Sequence, residues 1–202
     1  MGNRQPSAQR APSRRRYVPD DGYLSTFRLD MHGPPTKQRQ RLMLLLDEYL
    51  RECLIRGRRG ALVFDIDDTL ISENNGHTIR TVLNLYNRYV GVFPIYLVSA
   101  RSERDRQLTL DELKAKGVRG FRALRLLTPG DADDPGRFKA RERRNIGNVL
   151  ATIGDQPWDV LPRRVPHEMK DLMQATHTNG AFLRCRNSRE VGALLPRSRP
   201  RR

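Results

Sequence analysis

The chain has 202 residues, 38 basic side chains against 23 acidic ones and a formal net charge of +15, a length that suits one compact domain with tails. Its two cysteines, Cys53 and Cys185, stand far apart and outside any metal-ligand spacing, which excludes a disulfide framework and a cysteine metal cluster. No run approaches the roughly 18 apolar residues of a membrane span, and the polar opening MGNRQPSAQRAPSRRR lacks the apolar segment of a secretory leader, so the expectation is a soluble, intracellular protein without membrane insertion.

Residues 1–35 are rich in Arg, Pro, Ser, Gly and Gln and are expected to form a disordered basic tail. The domain proper is expected over 36–195, with a second basic tail, PRSRPRR, at 196–202. Within it, Leu42, Leu45, Leu46, Tyr49, Leu50 and Cys53 recur at helical spacing and predict a helix over Thr36 to Arg56, stopped by Gly57. Ala61 to Ile66 is a short apolar run, the pattern of a strand buried on both faces. A helix over Thr78 to Tyr89, a strand over Val92 to Val98 and a helix over Glu103 to Lys116, stopped by Gly117, follow. Next come a strand at Ala123 to Leu127, a basic helix at Arg137 to Ile146 and a strand at Val149 to Ile153. A weaker helix near His167 to Ala175 and a strand at Ala181 to Cys185 complete the pattern. Such alternation predicts an α/β fold, a three-layer Rossmann-like parallel sheet with helices on both faces.

Ligands of such sheets bind beyond the carboxyl ends of the strands. The polar residues that follow the predicted strands are DIDDT (Asp65 to Thr69), SAR (Ser99 to Arg101) and GDQPWD (Gly154 to Asp159), with Lys139 on the basic helix. Asp65 and Asp67, two apart on extended chain, can face one pocket. Two carboxylates about 4 Å apart repel by roughly 4 kcal/mol at an effective dielectric near 20, so the cluster calls for a cation. Oxygen ligands with no His or Cys beside them suit Mg2+, which keeps waters and completes its shell with substrate phosphate oxygens. Phosphoryl transfer is then the leading chemistry: one carboxylate attacks phosphorus, another moves protons, and a hydroxyl and an ammonium bind the equatorial oxygens.

The four segments FDIDDTLIS, FPIYLVSAR, the K-x-x-x-R pair Lys139 and Arg143, and IGDQ resemble the ordered motifs of the haloacid dehalogenase (HAD) superfamily of phosphatases, and within it the acid-phosphatase-like branch called subfamily IIIB. The resemblance covers about residues 60–160. It implies Asp65 as nucleophile and Asp67 as general acid and base. Ser99 with Ala100, and Lys139 with Arg143, would bind the phosphoryl group, Lys139 also holding the nucleophile. Mg2+ would be held by Asp65, the Asp67 main-chain carbonyl and Asp155. Asp159 is read as a lysine-orienting residue or an ordinary surface acid, Thr69 and Asp68 as turn residues, and Trp158 as packing beside the metal loop or as a substrate-stacking ring. Only about thirty residues separate Asp67 from Ser99, so a minimal cap is expected.

The reading is thus a phosphoric monoester hydrolase acting on a phosphorylated substrate. Two rivals stay open: a nucleic-acid 3′-phosphatase that grips its polymer through the Arg-rich tails, and a non-catalytic nucleic-acid-binding protein on the same fold. Lys occurs only at 37, 114, 116, 139 and 170, so 33 of the 38 basic residues are Arg. Selection for polyanion binding and a GC-rich genome both produce that skew.

Overall fold

A computed structural model describes residues 23–27, 34–160, 181–185 and 190–196, the first and third of these as backbone only. In chain order the elements are β1 (Tyr23–Phe27), α1 (Pro35–Ile55), β2 (Ala61–Phe64), α2 (Arg80–Tyr89), β3 (Ile95–Ser102), α3 (Arg106–Ala115), β4 (Ala123–Leu127), α4 (Pro135–Ile146), β5 (Val149–Gly154), α5 (Pro157–Val160), β6 (Ala181–Cys185) and β7 (Val191–Leu194). They form a seven-stranded sheet in the order β1-β6-β7-β5-β2-β3-β4. The five strands from β7 to β4 are mutually parallel, as the alternation of strands and helices predicts.

Pleating sorts the core onto two faces. Leu62 and Phe64 of β2, Ile95 and Leu97 of β3, and Leu124 and Leu126 of β4 pack with Leu42, Leu46 and Leu50 of α1, Tyr86 of α2 and Leu113 of α3. Val63 and Val98 point to the other face, against Phe138 of α4. α1 buries Leu42, Leu46, Leu50 and Cys53 completely, one stripe at spacings of four and three residues. It ends as expected at Gly57, whose φ of 61° lets the Arg58 amide reach back to the Cys53 carbonyl (2.8 Å), a left-handed closure that costs glycine nothing. Gly117 ends α3 in the same way, with φ 79° and the Val118 amide on the Leu113 carbonyl.

Four differences from the sequence-based expectation concern the strands. The third strand in the chain, β3, begins at Ile95 and runs to Ser102 instead of spanning Val92 to Val98. The Val92 and Phe93 amides are taken up by the Tyr89 carbonyl in the turn after α2, and Pro94 has no N–H to give a ladder. Ser99, Ala100 and Arg101 are therefore strand residues. β6 runs antiparallel to β7, and β1 antiparallel to β6, so the sheet is not parallel throughout. β1 also falls inside residues 1–35, which composition assigns to a tail; its sequence YLSTF has the aromatic and β-branched character of strands and finds an edge to pair with. β7 was hidden by Gly192 at its centre. The helix expected near His167 to Ala175 lies outside the described residues.

Residues 65–94, between β2 and β3, hold a helical turn, a short hairpin and α2, with no inserted domain. Beyond β7, the Leu195 amide donates to the Gly154 carbonyl (2.8 Å), and the Pro196 carbonyl accepts from Arg39 Nη2 of α1 (3.0 Å). No described helix is long and apolar enough to cross a membrane.

Candidate active site

As the chain leaves β2, Asp65 keeps sheet pairing through its amide, which donates to the Ile153 carbonyl (2.9 Å). The amides of Thr69, Leu70 and Ile71 then converge on the Ile66 carbonyl. Asp68 takes φ 48°, a left-handed conformation that Asp tolerates better than most residues, and its Oδ1 accepts from the Glu73 amide (3.1 Å). Asp68 therefore serves the turn. Thr69 is buried beside it, with no hydrogen-bond partner for its hydroxyl.

The turn leaves Asp65 and Asp67 to different cations. Lys139, carried by α4, places Nζ 2.9 Å from Asp65 Oδ1 and hydrogen-bonds Asp159 Oδ1. All three side chains are at most 6% exposed, so solvent screens them weakly. Asp159 is set by its own short helix: the Gln156 amide donates to its Oδ2 (2.9 Å), and its amide returns to the Gln156 carbonyl (2.9 Å). A Cβ at Gly154 would overlap the Asp159 carboxyl group, which explains the glycine at the end of β5. Arg143, one turn beyond Lys139, donates from Nη1 to the carbonyls of Trp158 (2.9 Å) and Asp159 (2.7 Å). It fastens α5 to α4, where the sequence led us to expect a substrate contact. Trp158 is 45% exposed and lies against the start of α4 beside Gly136.

Asp65, Asp155 and Asp159 each bring a carboxylate oxygen within 4.8 Å of the others. Burial, and after it the Asp159 charge, pushes the Asp65 carboxyl well above the usual carboxylate range, against the pull of Lys139. Burial likewise works against the Lys139 charge, but Asp65 and Asp159 outweigh it and hold that ammonium above its ordinary range. Lys139 thus faces Asp65 and Asp159, while the charge of Arg39 on α1 acts on Asp155 and Asp68. Asp65 Oδ1 is buried and, although the ammonium is near, has no aligned hydrogen bond. A buried set of carboxylate oxygens, one of them without a hydrogen bond, fits a hard divalent cation. Gln156 Nε2 orients Asp155 through its Oδ2 (3.0 Å).

Asp67 turns the other way, toward β3. Arg101 Nε lies 3.0 Å from both its carboxylate oxygens and Nη2 lies 2.6 Å from Oδ1. The buried Ser99 hydroxyl donates to Asp67 Oδ2 (3.4 Å) and accepts from the Arg101 amide (3.2 Å). Ala100, between them, is exposed, as alternation along a strand requires. Arg101 Nη1 holds Glu112 Oε2 of α3 (2.6 Å). The sequence reading gave Arg101 and Glu112 no role; the available signal was the two-residue spacing from Ser99, which aims Arg101 where Ser99 points.

The structure is similar to that of the class C acid phosphatase from Bacillus anthracis, with a TM-score of 0.56, 17% identity and 70% of each chain covered. At that identity the likeness shows a shared fold, and it meets the fold expectation drawn from the motifs. No family model matches the sequence, and no curated protein does.

Proposed function

We propose that this chain is a phosphomonoester hydrolase of the HAD type, dependent on a divalent cation, with Mg2+ the ion expected, and working through an aspartyl-phosphate on Asp65. The observation that carries the reading is the Lys139 ammonium seated between Asp65 and Asp159, with Asp155 completing a buried carboxylate cluster at the carboxyl edge of a parallel sheet. The fold shared with an acid phosphatase supports it. Mg2+, held by Asp65, Asp155 and the Asp67 carbonyl, would supply positive charge to the phosphoryl oxygens.

The chain's own residues divide the remaining work. A carboxylate oxygen of Asp65 attacks phosphorus, forming the new P–O bond while the bond to the leaving oxygen breaks. Asp67 gives that leaving oxygen its proton and later takes one from the water that attacks the phospho-aspartate, releasing phosphate and restoring Asp65. Lys139 keeps the nucleophile in place and offers its ammonium to the phosphoryl group, and Ser99 donates a hydroxyl to it.

The test is turnover of an aryl phosphate with and without Mg2+ by the wild-type chain, Asp65→Asn and Asp155→Asn. We expect metal-dependent turnover, its loss in Asp65→Asn, and a higher Mg2+ requirement in Asp155→Asn. Undiminished activity in Asp65→Asn would remove the nucleophile assignment. The nucleic-acid rival rests on basic tails outside the described residues; activity on 3′-phosphorylated DNA that falls steeply with salt would favour it.

A further inference from the structure

The DxD pair is sorted between two cations, and only one of them belongs to the machinery proposed above. Asp65 goes to Lys139. Asp67 goes to Arg101, whose guanidinium is engaged on both sides, by three contacts of 2.6–3.0 Å to the two Asp67 oxygens and by Glu112 at 2.6 Å. An exposed ion pair contributes little, but the Arg101 side chain is only 21% exposed. A planar fork with two of its nitrogens on one carboxylate also fixes direction as well as distance. The Ser99 hydroxyl and the Arg101 amide tie the same stretch of β3 to Asp67. The carboxyl group that must meet the leaving oxygen is therefore oriented from β3, and β3 is in turn braced from α3 by Glu112.

Resting on the function proposed above, we propose that Arg101 is a positioning residue that aims the Asp67 carboxyl at the leaving-group oxygen, and that Glu112 holds Arg101 in that pose. Arg101 acts through Asp67 and touches no reacting atom. The role is specific to proton delivery, so it depends on the leaving group. A phenolate of low basicity departs without a proton, whereas an alkoxide requires one, and a well-placed general acid contributes on the order of 100-fold or more to such steps.

The experiment measures kcat/KM, which reports phosphoryl transfer to Asp65, with p-nitrophenyl phosphate and with a simple alkyl phosphate. The proteins are wild type, Arg101→Gln, Arg101→Lys and Glu112→Gln, all with saturating Mg2+. For Arg101→Gln we expect the alkyl ester to lose about 10- to 100-fold and the aryl ester to lose under about threefold on the same grounds. Arg101→Lys should recover part of the loss, since a point charge replaces a fork, and Glu112→Gln should show the same selectivity at smaller amplitude. Equal losses on both esters would overturn the proposal in favour of a purely structural role. A rise in KM for both at unchanged kcat would also overturn it, by making Arg101 a substrate contact. Should Arg101→Gln fail to fold, Glu112→Gln carries the test alone, and an unchanged ester ratio in that variant overturns the proposal. Absence of turnover by the wild-type chain would instead remove the proposed function, and this inference with it.

Discussion

Replacing Lys139 by Met keeps the apolar stem and deletes the charge, which isolates the electrostatics of the site. With separations of no more than 4.8 Å, each pair among the carboxylates of Asp65, Asp155 and Asp159 repels by at least about 3.5 kcal/mol at an effective dielectric near 20, so three pairs amount to at least about 10 kcal/mol. Lys139 at 2.9 Å from Asp65 returns about 5.5 kcal/mol, and a similar amount from Asp159, by the same relation. Without the ammonium the cluster takes up a proton: at pH 7 this costs about 4.5 kcal/mol for an ordinary Asp but relieves two pairs, at least about 7 kcal/mol. We expect Lys139→Met to lose about 3–5 kcal/mol of stability at pH 7 without metal, the usual cost of leaving buried charge unpaired. The folded variant binds more protons than its unfolded chain, so the deficit shrinks as pH falls toward 5. It should also shrink when Mg2+ is added. Urea unfolding at both pH values, with and without Mg2+, measures this. A variant within about 1 kcal/mol of wild type at pH 7 without metal, below the 3–5 kcal/mol that an uncompensated buried charge costs, would refute the reasoning; so would a deficit indifferent to both pH and Mg2+.

Glu190, beside β7, is pushed up to about 7 by burial, with Arg143 opposing. A raised carboxyl contributes stability that is present below its unfolded value of 4.5 and lost as pH rises through 7, so Glu190→Gln should match wild type below pH 4.5 and exceed it above pH 7. The gain above pH 7 should be about 2–3 kcal/mol, and thermal or urea unfolding across that range tests it; equal stability at pH 8 would disprove it. Gly154→Ala should force the Asp159 carboxyl from its seat, destabilising the protein by about 1–3 kcal/mol and lowering turnover with it. Wild-type activity in that variant would mean Asp159 can leave Lys139 without consequence.

What could be read from residues alone followed from local chemistry. The apolar runs at Ala61 and Val149 are strands, Gly57 and Gly117 are helix stops, and Asp65 and Asp155 meet because each directly follows the carboxyl end of its strand, with Lys139 on the first half of α4 and Asp159 on α5 completing the cluster. What escaped depended on partners distant in the chain. YLSTF and VGAL are too short to declare themselves and become strands only through pairing with β6 and β5. The four-residue α5 is set by Asp159 and Arg143. Lys139 and Arg143 look alike on a basic helix, yet one faces the carboxylates and the other the backbone of α5. Nor does the motif DIDDT say which acid an arginine will take; that was decided by β3 reaching Ser102.

The bond from the Leu195 amide to the Gly154 carbonyl bears on how the site is completed during synthesis. Asp155 follows the residue that this bond holds, and the holding segment emerges from the ribosome after every one of the four motifs. A nascent chain that has folded β2 to β5 carries the nucleophile, the lysine and the metal-binding acids but lacks the strand that pins the loop between them. Fragments ending before Val191 would display the full set of motifs and still lack the bond that holds the residue just before Asp155.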